Sequence, residues 1–153
     1  ILISLNLENY HLNYLKKFKF NIDCISIEET LDSYSIYAKG NIFDVLLYET
    51  FIIAIINEIY SKNYILKNDL DSENVYNHGK FLLKKKIELL KDYQDLKIIE
   101  FGTRRRACFE WQEQVIQDLI QTPNLIGTSN LHFAHKYKIK PIGTFGHELP
   151  MIC

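Results

Sequence analysis

Leu96-Lys97-Ile98-Ile99-Glu100-Phe101-Gly102-Thr103 is the stretch on which the fold turns: an apolar run of strand length that stops at a Gly-Thr pair. Beyond the arginines that come next, the period changes. Between 107 and 121, Phe109, Val115, Ile116, Leu119 and Ile120 can share one broad helical face. Thr122-Pro123-Asn124 then breaks the pattern, and Leu125-Ile126 runs as a short apolar strand into a second pair, Gly127-Thr128. A further helix is expected from Asn130 to Lys138, with Leu131, Ala134 and His135 near one side, and Ile139 to Ile142 leads into a third pair, Gly143-Thr144. Residues 96–147 therefore read β-α-β-α-β. Strands that alternate with helices imply a parallel sheet with right-handed crossovers. The three Gly-Thr pairs would then emerge together at the carboxyl ends of the strands, the face on which α/β sheets and barrels bind ligands. Glycine there lets backbone N–H groups approach an anion, and threonine adds a hydroxyl.

The arginines strengthen that expectation. The chain has 18 Lys plus Arg, and all of its arginine is the run Arg104-Arg105-Arg106, directly after the first Gly-Thr. Where lysine serves everywhere else, a clustered arginine points to a task that lysine cannot perform. The planar guanidinium fork binds carboxylate or phosphate through two parallel hydrogen bonds, which a point-charge ammonium does not reproduce.

The first hundred residues have another grammar. An alternating stretch begins at Phe20-Asn21-Ile22-Asp23, and Tyr34-Ser35-Ile36-Tyr37-Ala38 continues it beyond a polar loop. Gly40-Asn41 reads as a hairpin turn into a strand over Ile42-Phe43-Asp44-Val45-Leu46. A helix from about Leu47 to Ser61, apolar on most faces, is expected to be buried. After a polar loop at 67–76, a second helix runs from about Asn77 to Lys91, with Lys84-Lys85-Lys86 as a solvated face. The fold class is thus α/β, an α+β part leading into β/α alternation.

Composition narrows the function classes. An apolar share of 47% and a charged share of 24% belong to a globular protein. The net charge of −1 leaves no electrostatic footprint for nucleic acid or an anionic membrane. The most apolar run, Phe51-Ile52-Ile53-Ala54-Ile55-Ile56, is far short of the roughly 20 residues of a membrane span. A cytoplasmic protein is expected, with Cys24, Cys108 and Cys153 as free thiols. His132 and His135 stand one helical turn apart, but no third ligand accompanies them, so no metal site is assigned. With Met151 its single methionine, the chain is expected to be an internal piece of a longer protein.

Taken in order, Glu100-Phe101-Gly102-Thr103-Arg104-Arg105-Arg106, Gly127-Thr128-Ser129-Asn130 and Gly143-Thr144-Phe145-Gly146-His147-Glu148 resemble the motifs of the nicotinate phosphoribosyltransferase family. Trp111-Gln112, Leu47-Tyr48-Glu49 and Ile56-Asn57-Glu58-Ile59-Tyr60 extend the resemblance over roughly residues 40–148. Two departures accompany it: Gly146 stands where the family commonly has Ala, and Leu149 to Cys153 do not continue the usual aromatic helix.

The resemblance implies a type II phosphoribosyltransferase-like fold, with 1–76 part of an N-terminal α/β sandwich domain and 77–153 the first part of an irregular β/α barrel. It implies that nicotinate and 5-phosphoribosyl 1-pyrophosphate give nicotinate mononucleotide and pyrophosphate, with ATP as cosubstrate and Mg²⁺ on the phosphates. His147 matches the family's phosphorylated histidine, and Glu148 is placed to orient its imidazole. Phe101 resembles the aromatic beside the pyridine ring, and Arg104 and Arg105 face the nicotinate carboxylate or the phosphates. Arg106 is the most structural of the three. Ser129 and Thr144 either line the substrate pocket or cap their loops. A homodimer is compatible with the family pattern. Two alternatives stay open: a nicotinamide-specific relative, for which an extra guanidinium has no purpose, and a non-catalytic remnant.

Overall fold

The computed structural model describes residues 9–143, with side chains described from Asn13 onward. The chain divides into two compact units, Ile1–Ile56 and Asn57–Cys153.

In the first unit a helix α1 (Asn9–Lys17) precedes a short 3-10 turn (Ile22–Cys24) and an antiparallel pair, β1 (Ile25–Glu29) and β2 (Tyr34–Ala38). The register runs from Ile25 opposite Ala38 to Glu29 opposite Tyr34. The alternation expected from Phe20 therefore begins later. Asn21 Oδ1 accepts from the Asp23 N–H at 3.0 Å, and this local bond bends the chain into the 3-10 turn first. The hairpin closes at Thr30–Ser33, where the Thr30 N–H donates to the Ser33 carbonyl at 2.8 Å and the two hydroxyls meet at 2.6 Å.

Gly40-Asn41 does not open a strand. Asn41 Oδ1 accepts the Phe43 N–H at 2.9 Å and its carbonyl accepts the Val45 N–H at 3.0 Å, so Asn41 starts a helix, α2 (Ile42–Lys67). The β-branched and aromatic residues at 42–45 are overridden by that cap. Tyr48 is buried, its ring 4.8 Å from Phe20 and 5.8 Å from Phe18, while its hydroxyl accepts the Asn21 N–H at 3.3 Å. The expected burial of α2 is not realised among the described residues: only Tyr48 and Ala54 are buried, and Phe51 and Ile55 are half exposed.

The second unit holds the end of α2, then α3 (Ser72–Leu90), β3 (Ile98–Glu100), a 3-10 turn (Thr103–Arg105), α4 (Phe109–Ile120), β4 (Leu125–Thr128) and α5 (Leu131–Tyr137). α3 begins five residues earlier than its periodicity suggested, since Asp71 caps it by accepting the Glu73 N–H at 2.8 Å. Lys84, Lys85 and Lys86 are exposed on it, as expected. β3 and β4 pair in parallel, with a register shift after Ile98 that leaves Ile126 as the extra residue and Glu100 opposite Thr128. The expected third strand is reduced to a parallel bridge between Thr128 and Pro141, flanked by bonds from Thr128 N–H to the Lys140 carbonyl and from Ile142 N–H to the Thr128 carbonyl. Proline has no N–H, so it cannot carry a ladder itself.

Ile116 and Leu119 of α4 and Phe133 and Ala134 of α5 form the apolar interior with Leu83. On α5 the buried face is Phe133-Ala134, while Leu131 and His135 are exposed. No helix of the described residues is long and apolar enough to cross a membrane.

Candidate functional site

The carboxyl end of β3 is built around a buried acid. Glu100 is 7% exposed. Its Oε1 accepts the Gly102 N–H at 2.6 Å and the Gln112 amide at 3.0 Å, and its Oε2 accepts the Thr128 hydroxyl at 2.6 Å. Gln112 also donates to the Thr103 hydroxyl at 3.0 Å, and Asn130 donates to that same hydroxyl at 3.0 Å. The Asn130 N–H donates to Thr128 Oγ1 at 3.0 Å, and its side chain caps α5 by accepting the Phe133 N–H at 3.1 Å. One polar cluster thus joins the end of β3, the turn after it, the end of β4 and the starts of α4 and α5. A buried polar group is tolerated only when its partners are supplied, and here they are.

The arginine turn sits on this cluster. Thr103–Arg105 form a 3-10 turn whose closing bond runs from the Arg105 N–H to the Gly102 carbonyl at 2.9 Å. From α2, Asn57 donates its side-chain amide to the Arg104 carbonyl at 2.5 Å, and Glu58 Oε2 accepts the Phe109 N–H at 3.2 Å at the start of α4. Cys108 is the N-cap of α4, its Sγ accepting the Trp111 N–H at 3.3 Å. Burial pushes the Cys108 thiol up, so it is a capping thiol and a poor nucleophile at neutral pH.

Phe101 is 46% exposed at the mouth of this turn, Arg105 is exposed and Arg104 is half-buried. Arg106 points another way: its Nη1 donates to Gln112 Oε1 at 3.2 Å and its guanidinium lies 5.0 Å over the Phe109 ring. Both contacts tie it to α4, while its Nε is buried without a partner. Ser129 follows β4 and donates its N–H to the Glu100 carbonyl at 2.9 Å, which sets it beside the β3 end. Phe101, Arg104, Arg105 and Ser129 are therefore gathered at one end of the β3–β4 pair. Thr144, His147 and Glu148 lie outside the described residues.

The Gly-Thr pairs differ from their expected use. Gly127 and Thr128 belong to β4 itself, not to a loop. The N–H groups of Gly102, Arg105, Thr128, Ser129 and Asn130 are all donated within the protein, so they are not spare donors for an anion. The glycines serve close approach instead. A Cβ on Gly102 would stand 2.7 Å from Glu100 Oε1, and one on Gly127 would run into the Lys140 carbonyl and stand 2.7 Å from Ile142 Cδ1. The side chains at this end whose chemistry suits an anionic or aromatic ligand are the Arg104 and Arg105 guanidinium groups, the Phe101 ring and the Ser129 hydroxyl.

Sequence reasoning passed over Glu100, Gln112 and Asn130 as site builders. The signal was present in Gln112, which lies four residues before Ile116 and seven before Leu119, on the apolar face of α4. A polar side chain at a core position must find partners. Among the described residues, no group of three His, Cys, Asp or Glu is placed to hold a metal ion, and His132 packs on the rings of Phe109 and Phe133.

Residues 96–152 match the Nicotinate phosphoribosyltransferase (NAPRTase) family. The chain is 36% identical over 141 residues to a nicotinate phosphoribosyltransferase of Buchnera aphidicola, covering 90% of this chain and 35% of that protein. It is 35% identical over 156 residues to one from Methanosarcina acetivorans, covering 93% and 37%. Crystal structures of nicotinate phosphoribosyltransferases from Porphyromonas gingivalis and Vibrio cholerae superpose with TM-scores of 0.78 and 0.80 at 28% and 29% identity. They cover 93% and 95% of this chain, and the chain covers 36% and 35% of theirs. The chain spans about a third of the length of the relatives it matches. The family resemblance read from the motifs is borne out, and so is the α/β phosphoribosyltransferase-like fold class.

Proposed function

We propose, on the premise of this likeness to nicotinate phosphoribosyltransferases, that the chain is a piece of a nicotinate phosphoribosyltransferase acting in NAD salvage. The observation that carries the reading is the arginine turn: Phe101, Arg104 and Arg105 stand together beside Ser129, inside the stretch that matches the family. Nicotinate is a flat ring bearing one carboxylate. An exposed aromatic face beside a guanidinium fork suits both parts of it. A nicotinamide ring carries no charge and has no need of that fork, so nicotinate is the preferred substrate.

The reaction proposed joins nicotinate to 5-phosphoribosyl 1-pyrophosphate, releasing pyrophosphate. The pyridine nitrogen forms a bond to the ribose carbon as the bond to pyrophosphate breaks. Arg104 and Arg105 hold the ring carboxylate or the substrate phosphates, which orients the reactants and offsets developing charge. His147 is the proposed phosphoacceptor: a neutral imidazole nitrogen attacks the γ-phosphorus of ATP, and ADP leaves. Glu148 would orient that imidazole, and Thr144 would join Ser129 in lining the pocket. Mg²⁺ would arrive with the phosphates of the substrates. Among the described residues no group of three His, Cys, Asp or Glu is placed to hold it.

The same proposal assigns 1–76 to a sandwich domain and 77–153 to the opening of a barrel, in a cytoplasmic protein that would work as a homodimer. The β3–β4 pair with one further bridge cannot close a barrel, so these 153 residues alone are expected to be inactive. The test is formation of nicotinate mononucleotide by the full-length protein, with and without ATP. Product that ATP accelerates, and that nicotinamide cannot replace, supports the reading. No product from a folded full-length protein would point to a non-catalytic remnant.

A further inference from the structure

Glu100 is a carboxylate whose substitution would remove hydrogen bonds from two substrate-bearing segments at once. Its Oε1 holds the Gly102 N–H, immediately before the arginine turn, and its Oε2 holds the Thr128 hydroxyl, immediately before Ser129. Its own carbonyl takes the Ser129 N–H. The side chain lies so close to Gly102 that a Cβ there would stand 2.7 Å from Oε1. Glu100 is 7% exposed and Thr128 is fully buried, so water cannot replace either bond.

From this geometry we infer that Glu100 is a positioning residue that couples the turn bearing Arg104 to the segment bearing Ser129, and so sets how tightly nicotinate is held. The inference rests on the function proposed above. Glu100 itself is spent on internal donors and does not touch substrate. An acceptor-only group is required at this point, because Gly102, Gln112 and Thr128 all present hydrogens to it. In Glu100→Gln, the two obligate N–H donors keep the amide oxygen, and the new NH₂ faces Thr128. The Thr128 hydroxyl must then turn from donor to acceptor, and the link between the two segments loosens while the shape is kept.

The experiment uses the full-length protein as Glu100→Gln, Thr128→Val, Thr128→Ser and the Glu100→Gln/Thr128→Val double variant. Melting temperature is measured together with kcat and with KM for nicotinate and for 5-phosphoribosyl 1-pyrophosphate. The expected result is a rise of about tenfold in nicotinate KM for Glu100→Gln and for Thr128→Val, the size expected for one charge-assisted bond. The second substrate's KM should stay within about twofold, Thr128→Ser should restore the nicotinate KM, and the double variant should be no worse than either single one. A fall in kcat with a rise in both KM values, in step with melting temperature, or additive effects in the double variant, overturns the inference alone. If the folded wild-type protein forms no nicotinate mononucleotide, the parent reading fails and takes this one with it.

Discussion

The two units differ in what they bury. Both leave large apolar side chains in the open, among them Ile27 at 65% and Tyr34 at 68% in the first and Leu66 at 76% and Tyr93 at 63% in the second. Among the described residues, the polar side chains taken inside, Glu100, Gln112, Asn124 and Thr128, all belong to the second. Polarity alone does not decide which residues leave water; the partners on offer do. Asn124, outside the cluster around Glu100, is satisfied on one side only: its amide donates to the carbonyls of Tyr93 at 2.9 Å and Leu96 at 2.8 Å and fastens the entry to β3, while its Oδ1 is buried without a partner. In the β1–β2 pair, by contrast, no residue is buried.

This contrast can be broken most severely at the buried acid. Glu100→Ala leaves two N–H donors and a hydroxyl without an acceptor in a dry site, and should cost about 3–5 kcal/mol of stability by denaturant unfolding. Ile116→Ala, at a position with no exposure, should cost about 3 kcal/mol, whereas Ile55→Ala on the open side of α2 should cost less than about 1 kcal/mol. Equal losses at Ile116 and Ile55 would mean that the exposed side of α2 is covered in solution. Gly127→Ala forces a methyl against the Lys140 carbonyl, and should cost about 1–3 kcal/mol while shifting the Pro141 bridge, read from amide chemical shifts around 140–142.

The smallest effect belongs to pH. The Lys136 ammonium and the Tyr137 hydroxyl hold the Glu113 carboxyl below its ordinary range. A depressed folded value gives stability that is present above the unfolded pKa and is lost as pH falls through the folded one. Lys136 is exposed and Glu113 only partly covered, so solvent screens the pair and the contribution is small. Melting curves of wild type and Glu113→Gln should differ slightly at pH 6 and converge toward pH 3. A gap that widens in acid would contradict the assignment.

Much of the second unit was legible because its cues are local. The period of α4, the strand at 98–100 and the Gly-Thr punctuation each reside in adjacent residues, and the motifs carried the family. The first unit was misread where two local rules competed. At Gly40-Asn41, turn chemistry and helix capping use the same residues, and the cap at Phe43 decided the matter. The third strand was overestimated because Pro141 permits a bridge but not a ladder. Within the site, the arginine turn stood out by composition, while Glu100 was hidden because its partners Thr128 and Gln112 lie 28 and 12 residues away. No periodicity reports a pairing at that range.

Thr128 has its N–H, its carbonyl, its hydroxyl proton and a hydroxyl lone pair all committed, to Lys140, Ile142, Glu100 and Asn130. Solvent deuterium can reach such an amide only after the neighbouring segments separate together. The proton on Thr128 is therefore a clock for cooperative opening: it should exchange at the rate of the whole unit, while the exposed β1–β2 pair exchanges on its own, faster schedule.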